Sequence, residues 1–152
     1  MKNIIIILFS LFSNHAHAQS QEDPVWWKME ENGEYLEVTS HLLYKVLSDS
    51  TRKKNADYLH ISRNYGYLND YEKAIFYLKK SIEDFDESSD EQYWWYYQGT
   101  LAFFQRDKNK LKFFMTKLGE KHSPYYENNY FTLKSLYENF DKGYHEASHW
   151  KN

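Results

Sequence analysis

Toward the end of the chain, His145-Glu146-Ala147-Ser148-His149 reads H-E-x-x-H. On a helix this spacing sets two imidazoles one turn apart, where they can bind zinc, with a glutamate beside them to activate water. The chemistry would be metal-assisted hydrolysis, with His145 and His149 as ligands, zinc lowering the pKa of its water and Glu146 as base. Three features argue that the match is a coincidence. It stands three residues before the last, so no third ligand is expected downstream. The residues leading into it, Asp141 to Tyr144, are polar and contain a glycine, whereas a buried catalytic helix normally enters through apolar residues. Tyr144 and Ala147 also belong to a pattern that runs through the whole chain. A zinc-dependent hydrolase is therefore the alternative reading, and the expectation is a protein without metal, cofactor or catalytic residues. His41, His60 and His122 stand singly, and no G-x-S-x-G elbow, phosphate-cradling glycine loop or dinucleotide fingerprint occurs.

That pattern is a repeat with a spacing of 36–37 residues. An aromatic recurs at Tyr58, Trp95 and Phe131, with a small residue four positions later at Ser62, Gly99 and Ser135. Tyr71, Lys108 and Tyr144 follow, and three positions beyond them stand Ala74, Leu111 and Ala147. Self-similarity at this period signals one supersecondary unit stacked several times. Stacked helix pairs make a surface for holding something rather than a pocket for chemistry.

The elements that must position these residues are helices. Tyr71, Ala74, Ile75, Leu78, Ile82 and Phe85 form an apolar stripe at helical spacing, as do Leu111, Phe114, Met115 and Leu118. Tyr35, Val38, Leu42 and Val46 make an earlier one. Asp70 and Asp107 stand where an N-cap accepts hydrogen bonds from the free amides of the following helix. No alternating run bounded by hairpin turns suggests strands. The expected fold class is all-α, a stack of antiparallel helical hairpins forming either a short α-solenoid or a compact α-α bundle. Trp94 to Tyr97 are consecutive aromatics and on a helix point in nearly every direction, so they are not expected all to face one core.

Composition narrows the partner. Lys plus Arg number 19 against 22 Asp plus Glu, a formal charge of −3 with both signs interspersed, and no basic footprint of a nucleic-acid binder is present. The acidic patch at Glu83 to Glu91 reads as a solvated loop between helices. Cysteine is absent, which excludes disulfides, thiolate metal sites and a cysteine nucleophile. Residues 1–18 read as a secretory signal peptide: Lys2, the apolar run Ile4 to Phe12, and Ala16-His17-Ala18 with cleavage after Ala18. The apolar run is too short to span a bilayer stably. Residues 19–152 are expected to form a single domain, periplasmic or secreted from a bacterium and not membrane-spanning once the signal is cleaved.

Ala56 to Phe85 resembles a tetratricopeptide repeat, a helix-turn-helix of about 34 residues. Tyr58, Ile61, Ser62, Tyr65, Tyr71, Ala74, Leu78 and Ser81 fill the pattern in order. Tyr93 to Leu118 resembles it through Trp95, Gly99, Ala102, Leu111 and Met115, and Asn129 to Trp150 through Phe131, Ser135, Tyr144 and Ala147. The resemblance implies that the first helix of each pair lines a concave groove, which by register would be formed by Arg63, Tyr67, Tyr96, Thr100 and Phe103. It implies a non-catalytic module binding a protein or peptide. The family's carboxylate clamp of Lys, Asn and Arg is not reproduced, since Leu59 and Arg63 occupy two of its positions. A third reading is self-association, because the ends of a helical stack expose apolar surface unless capped. Pro24 to Met29, with Trp26 and Trp27, reads as such a cap or as a docking arm.

Overall fold

A computed structural model describes residues 24–149; the signal-peptide expectation lies outside the described residues. Among these there are eight α-helices, one 3-10 turn and no strand, so the fold is all-α. The helices are α1 (Val25–Glu31), α2 (Tyr35–Ser48), α3 (Asn55–Tyr67), α4 (Tyr71–Ser81), α5 (Glu91–Phe104), α6 (Lys108–Lys121), α7 (Glu127–Glu138) and α8 (Tyr144–Ser148). The 3-10 turn, Pro124–Tyr126, leads directly into α7. Three hairpins, α3/α4, α5/α6 and α7/α8, follow one another, and α1 and α2 pack ahead of them on α3.

The first two hairpins turn in the same way at positions 37 apart in the chain. Asn69 and Arg106 both adopt the left-handed conformation, with φ of 59° and 57°. Their amides return to Gly66 and Phe103, and those of Asp70 and Asp107 to Tyr65 and Ala102, which satisfies carbonyls at the end of the first helix. Asp70 and Asp107 then cap the second helix by accepting from the amides of Lys73 and Lys110. A second recurring bond joins the two helices of a hairpin. The Ser62 hydroxyl donates to the Ala74 carbonyl at 2.7 Å, and the Ser135 hydroxyl to the Ala147 carbonyl at 2.6 Å. In the middle hairpin the small residue is Gly99, where a Cβ would lie 2.7 Å from Leu133 of α7. Its smallness admits the next hairpin rather than a hydroxyl.

Two apolar clusters hold the molecule together. The smaller joins Trp26, Val38, Leu42, Val46 and Ile61, so the indole of α1 and the stripe of α2 cover the outer face of α3. The larger runs through all three hairpins and includes Ala74, Leu78, Trp95, Leu111, Leu118, Leu133, Leu136 and Tyr144. At its centre is α5, which is apolar nearly all round, as a helix enclosed by others must be. Trp95, Tyr96 and Tyr97 are therefore all buried and Trp94 is half-buried, against the expectation that the aromatic run would not all face one core. Different neighbours, α4, α6 and α7, take up its different faces.

Phe131 is a second correction. It is 52% exposed, unlike Trp95 in the hairpin before. The inward face of α7 is made by Leu133 and Leu136, and Phe131 lies two residues from Leu133, about 200° round the helix.

The third hairpin also curls back onto the first, so the stack closes into a bundle. Helix α8 packs on α3 as well as on α7. The Tyr71 hydroxyl accepts from the Tyr144 amide and donates to Asn69. Gly66 allows this approach, since a Cβ there would stand 2.8 Å from the rings of both Phe104 and Tyr144.

Candidate binding groove

Residues spaced by one turn on α3 build one wall of a groove: Leu59, Arg63 and Tyr67. Tyr93 and Tyr96 of α5 and Asn128, Asn129 and Thr132 of α7 continue it, and Tyr144, Ser148 and His149 close one side. Its volume is about 270 Å³. The first helices of all three hairpins thus face the same hollow. On the other side of Arg63 and Tyr67 lies a larger cleft of about 540 Å³, walled by α1, the start of α2, α3 and α8.

Of the five residues expected in the groove, Arg63, Tyr67 and Tyr96 line it. Thr100 and Phe103 do not. Thr100 is 1% exposed, its hydroxyl donating to the Tyr96 carbonyl one turn back, and Phe103 is 0% exposed. Phe103 packs between Phe140, Tyr144 and Tyr71. The physical reason is the closure of the bundle: with α8 folded against α3, the C-terminal half of α5 lies beneath the groove rather than along it. Tyr67 and Tyr96 are themselves nearly buried, so they form its floor.

The repeat register would have found some of the residues that were missed, but not those that α8 brings in. Leu59, Tyr96 and Thr132 stand 37 and 36 positions apart, and Tyr93 and Asn129 are separated by 36. All five line the groove. Asparagine and threonine carry no apolar signal, which is why a search for aromatic and arginine anchors passes over them.

Arg63 is the charge shared by groove and cleft. Its guanidinium donates to the Tyr67 hydroxyl at 2.8 Å and lies 3.8 Å from the Glu30 carboxylate. Burial works against its charge. The surrounding hydroxyls of Tyr144, Tyr67 and Tyr96, with the hydrogen bond to Tyr67, outweigh that, and its pKa is raised. Burial likewise pushes the hydroxyls of Tyr67 and Tyr144 up and that of Tyr93 to about 12, so these remain neutral donors at neutral pH.

The H-E-x-x-H residues are divided between two environments. The rings of His145 and His149 lie 4.8 Å apart and flank Tyr67 at the mouth of the cleft. Glu146 is directed elsewhere, its carboxylate 2.6 Å from the ammonium of Lys142 and its side chain 60% exposed. Burial, and then the neighbouring His149, lowers the His145 pKa. Among the described residues no three His, Cys, Asp or Glu side chains are grouped to hold a metal ion. Among the described residues the set does not fit a zinc-hydrolase centre.

No protein-family model, curated protein or solved structure matches the chain.

Proposed function

We propose that the protein is an exported, non-catalytic binding module that holds a segment of a protein or peptide in the groove between its hairpins. The observation that carries this reading is the convergence of α3, α5 and α7 on one hollow, with repeat-related residues at Leu59, Tyr96 and Thr132. The tetratricopeptide resemblance is supported by the two matching interhelix turns and by the paired Ser-to-Ala carbonyl bonds. Asn128, Asn129 and Thr132 offer hydrogen-bonding groups suited to a ligand backbone, while Tyr93 and Tyr96 offer apolar faces with a polar tip. Arg63, within ion-pair distance of Glu30, supplies further hydrogen-bond donors. Export rests on the sequence of residues 1–18.

The test is affinity capture from cross-linked cells, run in parallel with wild type, Arg63→Ala and the Asn129→Ala/Thr132→Ala pair. These replacements lie at the groove and avoid the near-buried rings of Tyr67 and Tyr96, whose truncation would open cavities. A stoichiometric partner retained by the wild type and lost from both variants supports the groove. A partner retained equally by all three refutes it.

Self-association is a second reading, favoured by the outer face of α2. Leu36, Tyr44 and Leu47 are all exposed there, Leu47 at 82%. Sedimentation analysis of wild type and Leu47→Asp tests it: a dimer abolished by the substitution supports it, and a monomer at all concentrations refutes it.

A further inference from the structure

The larger cleft has a chemistry of its own. Its walls are aromatic on three sides. Trp26 and Trp27 meet edge to face with centroids 5.7 Å apart, and the Trp26 ring lies 4.4 Å from the His60 imidazole. Across from them Tyr35 packs on Tyr67 at 4.9 Å, and His145 flanks both. Trp27 keeps 45% of its surface exposed at this cleft. A tryptophan contributes little to folding from such a position.

The charges can be counted. Glu30, Glu31 and Arg63 line the space. Glu30 and Arg63 lie within ion-pair distance of one another and their charges cancel. Glu31 also faces the cleft, and among the described residues it has no ionic or hydrogen-bonding partner. His60 and His145 add no positive charge at neutral pH. Burial lowers the His60 pKa to about 4, and burial together with His149 lowers that of His145. What remains is one uncompensated carboxylate beside tryptophan and tyrosine faces. Aromatic faces attract cations through the ring quadrupole, and the attraction is largest for weakly hydrated ones. A small hard metal ion instead needs several oxygen ligands, which the described residues do not group here.

We propose that the cleft between α1, α3 and α8 is a binding site for an organic cation, an alkylated ammonium group. Its charge is countered by Glu31, and its alkyl shell is held by Trp27 and Tyr35. The volume of about 540 Å³ falls in the range of small-molecule sites. The same chemistry has two sources, a free small ammonium compound or a methylated lysine side chain. The residues that hold the cation are separate from the groove, since Trp27, Glu31 and Tyr35 do not line it, although Arg63, Tyr67 and His149 border both hollows.

The experiment is ligand-observed NMR on the full folded protein at fixed ionic strength. The probes are choline, a short peptide carrying trimethyl-lysine, and 3,3-dimethylbutanol, the uncharged isostere of choline. Saturable binding of an ammonium probe, with the neutral isostere at least about tenfold weaker, is the expected result. Glu31→Gln should weaken it about two- to fivefold, and Trp27→Ala should remove it. Glu31 is exposed, so its variant keeps the fold intact even if Trp27→Ala disturbs α1. Tighter binding of choline than of the peptide assigns the site to a free small molecule, and the reverse order to a partner's side chain. No saturation by either cation, equal binding of the isostere, or unchanged affinity in Glu31→Gln overturns the proposal.

Discussion

A single methyl group added at Gly66 probes the contact on which the shape of the groove depends. In Gly66→Ala the new Cβ would stand 2.8 Å from Cε1 and Cζ of Phe104 and 2.8 Å from Cδ1 of Tyr144. Ordinary carbon contacts are about 3.5–4.0 Å, so both rings would have to withdraw by roughly 1 Å. Neither has room to do so. Phe104 and Tyr144 are almost wholly buried, with ring centroids 4.7 Å apart, and Tyr144 also stacks on Tyr67 at 5.4 Å. Overpacking of this kind costs about 1–3 kcal/mol. Against it, alanine favours a helix over glycine by about 0.5–1 kcal/mol. At the midpoints of these ranges the expected outcome is a net loss of about 1 kcal/mol, a fall in Tm of roughly 3–5 °C for a domain of this size. Far-UV circular dichroism during thermal and urea unfolding measures it. Because Tyr144 is the first residue of α8, amide exchange in α8 should accelerate at the same time. An unchanged or raised Tm would show that α3, α5 and α8 do not meet this closely, and the geometry of groove and cleft would fall with that contact.

Further outcomes follow from the hairpin bonds and the buried histidine. Ser135→Ala removes the donor to the Ala147 carbonyl, and should cost about 0.5–1.5 kcal/mol. It should speed amide exchange in α8 while leaving α4 unchanged, and Ser62→Ala should do the reverse; equal effects on both helices would contradict the pairing. His60 has a folded pKa of about 4, lowered first by burial from its ordinary value of 6.5. Between those values the unfolded chain holds a proton that the native protein does not. Stability from this group is therefore complete above pH 6.5 and lost as the pH falls toward 4, by up to about 3 kcal/mol. In His60→Phe this part of the acid dependence should disappear from urea unfolding measured across the window. An identical slope in wild type and variant would show that His60 is not held neutral. The Asn129→Ala/Thr132→Ala variant, changed at two half-buried positions, should unfold within about 1 kcal/mol of wild type. Arg63→Ala, which loses the bond to Tyr67 and the pairing with Glu30, should cost more. A collapse of the α7 pair would mean that α7 is not a groove wall.

Much of the helical scaffold was legible because its determinants are local. The stripe Val38, Leu42 and Val46 is buried as its spacing predicts, and so are Ala74 with Leu78 and Leu111 with Leu118. Asp70 and Asp107 cap the helices they precede, since an N-cap needs only its own side chain and the next few amides. The repeat announced paired helices, and the Ser62 and Ser135 bonds give its small positions a physical meaning.

What the chain could not declare from its pattern was which faces would be covered. Periodicity tells how residues are arranged round one helix, whereas burial depends on how many neighbours surround it. Helix α5 is apolar on all sides, and only the packing of α4, α6 and α7 about it explains why Trp95, Tyr96 and Tyr97 are buried together. The same packing put Thr100 and Phe103 beneath the groove and left Phe131 outside the core. The return of α8 onto the first hairpin joins residues 73 apart in sequence, as in the bond from the Tyr144 amide to the Tyr71 hydroxyl of α4. Sequence alone determined helices, caps and hairpins. Tertiary structure decided the closure of the stack, because curvature is set by side-chain volumes at the interfaces, such as the missing Cβ of Gly66, and these act only once the helices meet.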